Sequence, residues 1–205
     1  MGFYNKHVMP RVVHLTCSKK PNMHQRRKVV PLAQGVVLEV GIGSGLNLPY
    51  YDVSRITKVI GLDPSSEMRQ IAEKAASAAT FDVEFIGLPG EEIPLDNNSV
   101  DTVLITYTLC SIPDAQLALQ QMSRVLKPDG KLIFCEHGAS PDPNDRRWQD
   151  RLDPVWGLFG GGCHLNRAIP DLIEQGGFRI EGMQAKYIPG WRPASFNYWG
   201  EAAVV

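Results

Sequence analysis

Apolar and polar positions alternate between two rhythms along the chain. Short β-branched runs at Val36–Val40, Lys58–Leu62, Phe81–Ile86, Val100–Thr106 and Lys131–Cys135 read as strands. Stretches at helical spacing lie between them. Met68, Ile71, Ala72 and Ala75 form one apolar stripe over residues 66–78. Leu117, Leu119, Met122, Val125 and Leu126 form another over 115–126, behind Asp114 as its cap. A shorter helix is predicted over 46–52, a helix carrying Trp148, Leu152, Val155 and Trp156 later on, and one over 168–175 that stops at Gly176-Gly177. Pro128-Asp129-Gly130 reads as a turn. Two terminal strands, Phe178–Tyr187 and Ser195–Val205, read as an antiparallel pair at a sheet edge. Strand and helix alternate, so the predicted fold is α/β, a Rossmann-like, seven-stranded, mostly parallel sheet sandwiched by helices with an antiparallel edge strand.

The stretch Glu39-Val40-Gly41-Ile42-Gly43-Ser44-Gly45-Leu46-Asn47 follows the first strand. Its glycines alternate, G-x-G-x-G, which is not the dinucleotide fingerprint G-x-G-x-x-G. Such a turn gathers backbone N–H groups where a polar ligand can sit. Glu39 stands two residues before the first glycine. A carboxylate there would repel a phosphate; it suits a ligand with a cationic or amine end, and S-adenosylmethionine carries both a sulfonium and an amine. Asp63 ends the second strand, near the twenty-odd residues past the glycine turn expected of an acid that holds a ribose diol. Asp63 also reads as a helix N-cap ahead of Pro64.

Glu39–Gly45 resembles motif I of the class I S-adenosylmethionine-dependent methyltransferases. Gly61-Leu62-Asp63-Pro64-Ser65 is similar to motif II, Ile93 through Asp101 to the segment before strand four, and Arg124 through Leu132 to the helix-turn-strand after it. Thr108-Leu109-Cys110-Ser111-Ile112, Glu136-His137, Leu152-Asp153-Pro154 and Gly161 through Arg167 resemble the methyltransferase-like protein seven group, whose vertebrate members are thiol methyltransferases on membranes. The resemblance spans about residues 29–178. It implies methyl transfer from S-adenosylmethionine to a small molecule, with a thiol favoured over a quinone, phenol or lipid headgroup. A non-catalytic cofactor-binding protein is the rival from another class.

The candidate cofactor-binding residues are Glu39, Gly41, Gly43, Gly45, Asn47, Asp63, Pro64, Met68, Gly90, Glu91, Thr106 and Thr108. Many relatives carry an acid where Pro89 falls, so adenine recognition passes to backbone around Leu88–Glu91 and to the Glu91 side chain. His137, at the end of the fifth strand, and His164 are the candidate proton acceptors, with Asp150 third. A His137 that merely bonds to backbone is an equal alternative. Cys110 reads as a buried inert thiol rather than a nucleophile. Cys163 beside His164 would bind a metal only with ligands from elsewhere, so no metal is expected. The run Gly160-Gly161-Gly162 suggests a loop that closes over substrate.

Residues 1–34 precede this 35–205 domain as a basic, partly apolar arm: a helix near 2–17, a turn at 18–22 and a second helix from Met23. It reads either as a lid that brings Tyr4 or His14 to the cofactor and touches a lipid surface, or as a helical arm packed on the domain with solvated lysines. The second reading is favoured, because charge runs are usually solvated faces. Composition narrows the rest. The 205 residues suit one domain, and a net charge of −1 supplies no pull toward nucleic acid or anionic membrane. No N/D-P-P-Y/F motif follows strand four, where Thr106-Tyr107-Thr108-Leu109 stands, so a nucleic-acid substrate is not expected. Four scattered cysteines form no C-x-x-C, no apolar run nears ~20 residues, and no signal peptide is expected. A cytoplasmic protein follows.

Overall fold

The computed structural model describes residues 9–205. Seven strands form one sheet: β1 Gly35–Val40, β2 Ile56–Leu62, β3 Asp82–Ile86, β4 Val100–Thr106, β5 Leu126–His137, β6 Phe178–Tyr187 and β7 Phe196–Val204. Among the described residues, six α-helices surround it: α1 Met9–Cys17, α2 Lys20–Val29, α3 Ser66–Ala76, α4 Ala115–Val125, α5 Pro143–Phe159 and α6 Ile169–Gln175. The strand order is β3-β2-β1-β4-β5-β7-β6. The pairings from β3 through β5 are parallel, and β7 runs against both β5 and β6. The expected antiparallel pair is therefore at the edge, with β6 outermost. The order turns back on itself between β1 and β4, which opens a crevice beyond their carboxyl ends.

Strand alternation assigns the two faces. Leu38, Val40, Val103 and Ile105 share one core with Leu119 and Met122 of α4 and Ile173 of α6. Val37 and Leu104 point the other way, into a core completed by Val29 and Val30. Glu39 shares the parity of Val37, so its carboxylate is on the face that α2 and the turn after it cover.

Several boundaries differ from expectation for identifiable reasons. Only a 3-10 turn, Leu48–Tyr50, forms where a helix over 46–52 was expected. Pro49 removes a backbone donor and biases Leu48 away from α geometry. The second arm helix starts at Lys20 rather than Met23 because Pro21 fits a first helical turn. β5 begins at Leu126, which pairs with Val100 before the register resumes at Thr102 and Lys131. The predicted turn at 128–130 is thus an excursion within one strand. Leu117, expected inward, is 39% exposed. Asp114 caps α4 by accepting from the Leu117 N–H at 2.9 Å, as expected. The part of the first arm helix before Met9, and Tyr4 with it, lies outside the described residues. Among the described residues no helix is long and apolar enough to cross a membrane.

Candidate functional site

A cavity of about 720 Å³ opens at the carboxyl ends of β1, β2, β4 and β5. Its first end is the glycine turn. Gly41, Gly43 and Gly45 all have positive φ, at 74°, 55° and 77°. Gly41 must also lack a side chain, since a Cβ there would stand 2.4 Å from the Thr108 side chain. The absent Cβ lets the segment after β4 lie directly against the turn.

Asp63 braces this turn. Its Oδ2 accepts from the Gly43 N–H at 2.9 Å and its Oδ1 from the Ser65 N–H at 2.8 Å. Burial pushes its carboxyl pKa upward against these bonds. The N-cap of α3 is Ser65, not Asp63: its hydroxyl accepts from the Met68 N–H at 3.2 Å. Asp63 is thereby free to face the cavity, which it lines with Pro64, Ser65 and Met68.

Gly90 and Glu91 line the cavity as well. Glu91 Oε1 accepts from the Asp114 N–H at 3.1 Å, while Oε2 is buried without a hydrogen-bond partner.

Three predicted binding residues stand behind the wall rather than in it: Glu39, Gly45 and Asn47 do not line the cavity. Glu39 is 1% exposed. Its Oε2 accepts from Tyr51 Oη at 2.6 Å and its Oε1 from Asn47 Nδ2 at 2.9 Å. Burial drives its pKa up to about 7, although Tyr51, Arg26 and Asn47 oppose the shift. The expected pairing of Glu39 with a ligand amine is replaced by protein donors, because the strand parity turns it away from the cavity. Asn47 Nδ2 also donates to Thr106 Oγ1 at 2.9 Å, and Gly45 packs on Leu48 and Ala72.

Arg26, on α2, completes this network and was not singled out in the sequence. It is 5% exposed and lines the cavity. Its Nη1 donates to Asn47 Oδ1 at 2.8 Å and to Thr106 Oγ1, and the guanidinium lies 5.2 Å from the centre of the Tyr107 ring. Its Nε has no partner. In the sequence Arg26 is one of several basic residues in the arm, and no spacing signal separates it from its neighbours. Ser44 Oγ meets His14 Nδ1 at 2.7 Å, so α1 is also tied to the turn.

The other end of the cavity is assembled from distant segments. After β4 the backbone enters the left-handed region at Tyr107, with φ 56°. A non-glycine residue there needs outside support. Both carboxylate oxygens of Glu136 accept from the Thr108 N–H, at 2.8 and 3.0 Å, and Tyr107 Oη donates to Asn197 Oδ1 at 2.8 Å. Glu136 is fully buried, and burial raises its pKa to about 8. The turn delivers Cys110 to the cavity wall. The loop after α5 arrives from the opposite side, where the His164 N–H donates to the Cys110 carbonyl at 2.8 Å and Arg167 to that of Leu109.

Cys110, His137 and Cys163 meet there, and all three line the cavity. Their donor atoms lie within 4.8 Å of one another, and His137 Nε2 is 3.2 Å from Cys163 Sγ. The Cys110 thiol is drawn well below its ordinary pKa, first by the hydrogen bond from Cys163 and then, against burial, by His137. Cys163 is pushed upward by the same hydrogen bond. Cys110 is buried, as expected, and the fold brings it together with His137 and Cys163, a meeting that no spacing in the sequence indicates. Met9, Val13, Ile112 and Trp156 give this end apolar walls, and Gly160 and Gly161 line it too.

Of the three candidate proton acceptors, only His137 reaches the cavity. His164 turns away to Asp153, with Nδ1 to Oδ2 at 2.8 Å, because its backbone N–H is held by Cys110. Asp150 lies on the outer face of α5, half exposed, and accepts from Arg146 and Asn166. Neither lines the cavity. Thr106 and Thr108 both do.

A methyltransferase domain matches residues 38–134. The thiol S-methyltransferase TMT1B of Homo sapiens is 33% identical over 192 residues, covering 90% of this chain and 78% of that protein. The chain belongs to this S-adenosylmethionine-dependent methyltransferase family. The TMT1B protein of Rattus norvegicus is 34% identical over 166 residues, 79% of this chain and 65% of its own length. The chain thus spans 65% and 78% of these relatives' own lengths, less than two thirds of the first. A solved S-adenosylmethionine-dependent methyltransferase from Thermotoga maritima superposes with a TM-score of 0.66 over 98% of this chain and 95% of its own, at 22% identity, a likeness of fold. The family's methyl donor is S-adenosylmethionine, as expected from the motifs.

Proposed function

We propose that the chain methylates the sulfur of a small, partly apolar thiol. One observation carries the reading: the cavity is continuous from the glycine turn and Asp63 to the apolar, sulfur-lined end at Cys110 and Trp156. Polar residues of the cavity wall match the donor molecule. Asp63 accepts from the ribose hydroxyls, the Glu91 carboxylate from the adenine amine, and the Arg26 guanidinium donates to the carboxylate of the methionine tail. Charge-assisted bonds of this kind contribute about 1.5–3 kcal/mol each. Gly41 and Gly43 keep the turn bare so that a ligand approaches the backbone closely.

When bound, S-adenosylmethionine supplies an electrophilic methyl group. The chain's part is alignment. Holding two reactants in line is worth about 7–11 kcal/mol without any acid or base. A thiol suits that economy, since its thiolate is the nucleophile and is present at a few per cent near neutral pH. No carboxylate among the described residues faces the acceptor end unpaired, whereas an alcohol or amine acceptor would call for one. α1, with His14 on Ser44 and seven residues along the wall, serves as a cover over the cavity, which is the lid reading of the arm. A cytoplasmic location is part of the proposal, resting on four cysteines that are all unpaired.

The test is transfer of labelled methyl from the donor to panels of thiols, phenols, quinones and lipid headgroups. Label should appear on apolar thiols. Label on quinones or phenols with none on thiols would refute the acceptor class, and donor binding with no transfer to any panel would refute catalysis.

A further inference from the structure

The meeting of Cys110, His137 and Cys163 is not among the donor contacts proposed above. It lies in the cavity wall where the turn after β4, the end of β5 and the loop after α5 converge. Two sulfurs and one imidazole nitrogen within 4.8 Å make a small, soft donor set. Tetrahedral zinc holds sulfur at about 2.3 Å and histidine nitrogen at about 2.0–2.1 Å, so its ligand atoms sit about 3.5–3.8 Å apart, inside this limit. His137 Nε2 and Cys163 Sγ already approach to 3.2 Å. A thiolate pair with an imidazole selects zinc over magnesium or calcium, which prefer oxygen.

Three further observations point the same way. Nothing among the described residues supplies a fourth ligand to the cluster, and all three members face the cavity. Three protein ligands with one open position is the pattern of zinc that works on a substrate rather than zinc that staples a fold. The other ring nitrogen of His137 is buried without a partner, although the residue is only 8% exposed. No backbone group or carboxylate among the described residues claims the ring, whose polar contacts are with the two cysteines. Finally, the ligands come from three elements that the backbone already fixes: the Glu136-braced turn after β4, the end of β5, and the loop that donates from His164 to Cys110. The site is held together before any ion arrives.

We propose that Cys110, His137 and Cys163 bind a zinc ion whose open fourth position takes the acceptor's sulfur as a thiolate. This rests on the thiol reading above and deepens it. An acceptor thiol that binds the metal gives up its proton to solvent. Its sulfur then uses a lone pair to form the new carbon–sulfur bond. The bond from that carbon to the donor sulfonium breaks, and its electron pair stays on the departing sulfur. Both products are neutral thioethers, which bind zinc weakly and leave. The two protein thiolates and the metal cancel in charge, so the buried cluster carries no net charge between turnovers.

The test uses the full chain stripped of metal and titrated with cobalt(II), a spectroscopic stand-in for zinc. One equivalent should bind, with a thiolate-to-cobalt charge-transfer band and the intense visible bands of a four-coordinate ion. Addition of a small apolar thiol should shift the visible bands. Cys110→Ser and Cys163→Ser should abolish them while calorimetry shows donor binding intact, which establishes that these variants fold. Stripping the metal should lower thiol methylation by about tenfold or more, and zinc should restore it.

Absence of cobalt binding in a chain that still binds the donor would overturn the site. So would cobalt bands that survive both serine substitutions, or isolation of a Cys110–Cys163 disulfide form with full activity. Thiol methylation at an undiminished rate by metal-free protein would remove the metal and leave the thiol reading standing. Cobalt bands that do not move with any thiol would remove the acceptor's place on the metal.

Discussion

The two ends of the cavity are built by opposite strategies. The donor end comes from short stretches of neighbouring sequence: a glycine turn over residues 41–45, Asp63 to Met68 after the next strand, and Gly90-Glu91 after the third. The acceptor end draws Met9, Cys110, His137, Trp156 and Cys163 from five separate elements. The donor end depends on backbone conformation that particular residues impose locally. The acceptor end depends on long-range supports, such as Glu136 under the Tyr107 turn and the His164 N–H on Cys110. A site whose parts are local should respond to single substitutions in its own residues. A site assembled from afar should respond to its supports.

The largest effect expected from breaking this contrast is at the contact between the ends. Gly41→Ala would impose a side chain at φ 74° and 2.4 Å from Thr108. Strain at such a position costs about 1–3 kcal/mol, and the collision adds to it. A fall of that size in the urea-unfolding free energy, with loss of donor affinity, is the expected result. An unchanged unfolding curve would show that the turn and the Thr108 segment are not in contact. Asp63→Ala comes next. It removes both the proposed ribose acceptor and the brace on Gly43, so donor affinity should drop about tenfold to a hundredfold, or 1.5–3 kcal/mol. Calorimetry reads this directly, and unaltered affinity excludes the ribose role.

Arg26→Gln should weaken donor binding about tenfold, since one charge-assisted bond is lost. The same substitution tests whether the arm belongs to the donor end, because Arg26 is a buried cation that the arm places in the cavity wall. A full-affinity variant would separate α2 from the site.

A smaller effect concerns pH. Glu39 and Glu136 sit under the donor and acceptor ends, and burial raises their pKa values to about 7 and about 8. Both exceed the ordinary value of 4.5. Between 4.5 and these values the native state holds more protons than the unfolded chain, so their contribution to stability falls as pH rises and levels off above about 8. Urea midpoints measured from acidic to alkaline pH should decline through this window. Glu136→Gln should flatten the upper part and Glu39→Gln the lower part; a midpoint that climbs across it would contradict both assignments. The smallest effects belong to His164→Ala and Asp150→Ala, which should leave turnover within about twofold because neither lines the cavity. A large loss in either would restore it as a candidate base.

The contrast also explains what could be read in advance. The strand at Val100–Thr106, the cap at Asp114 and the terminal pair of strands were legible because alternation, capping and turn chemistry act over a few residues. The glycine turn with Asp63 was legible for the same reason. Arg26 was not, because its neighbours Arg27 and Lys28 carry the same charge and only burial singles it out. His164 looked as suitable as His137, with Asp150 third, until bonds to Asp153 and Arg146 placed both outside the cavity lining.

Amino-acid order alone determined the alternation of strand and helix, the side-chain-free bend that follows β1, and the acid at the end of β2, since each is a property of a few adjacent residues. Tertiary structure alone decided which way Glu39 faces and that Cys110, His137 and Cys163 meet. Those outcomes depend on strand parity and on contacts between segments tens of residues apart, which carry no signature in any short window of the chain.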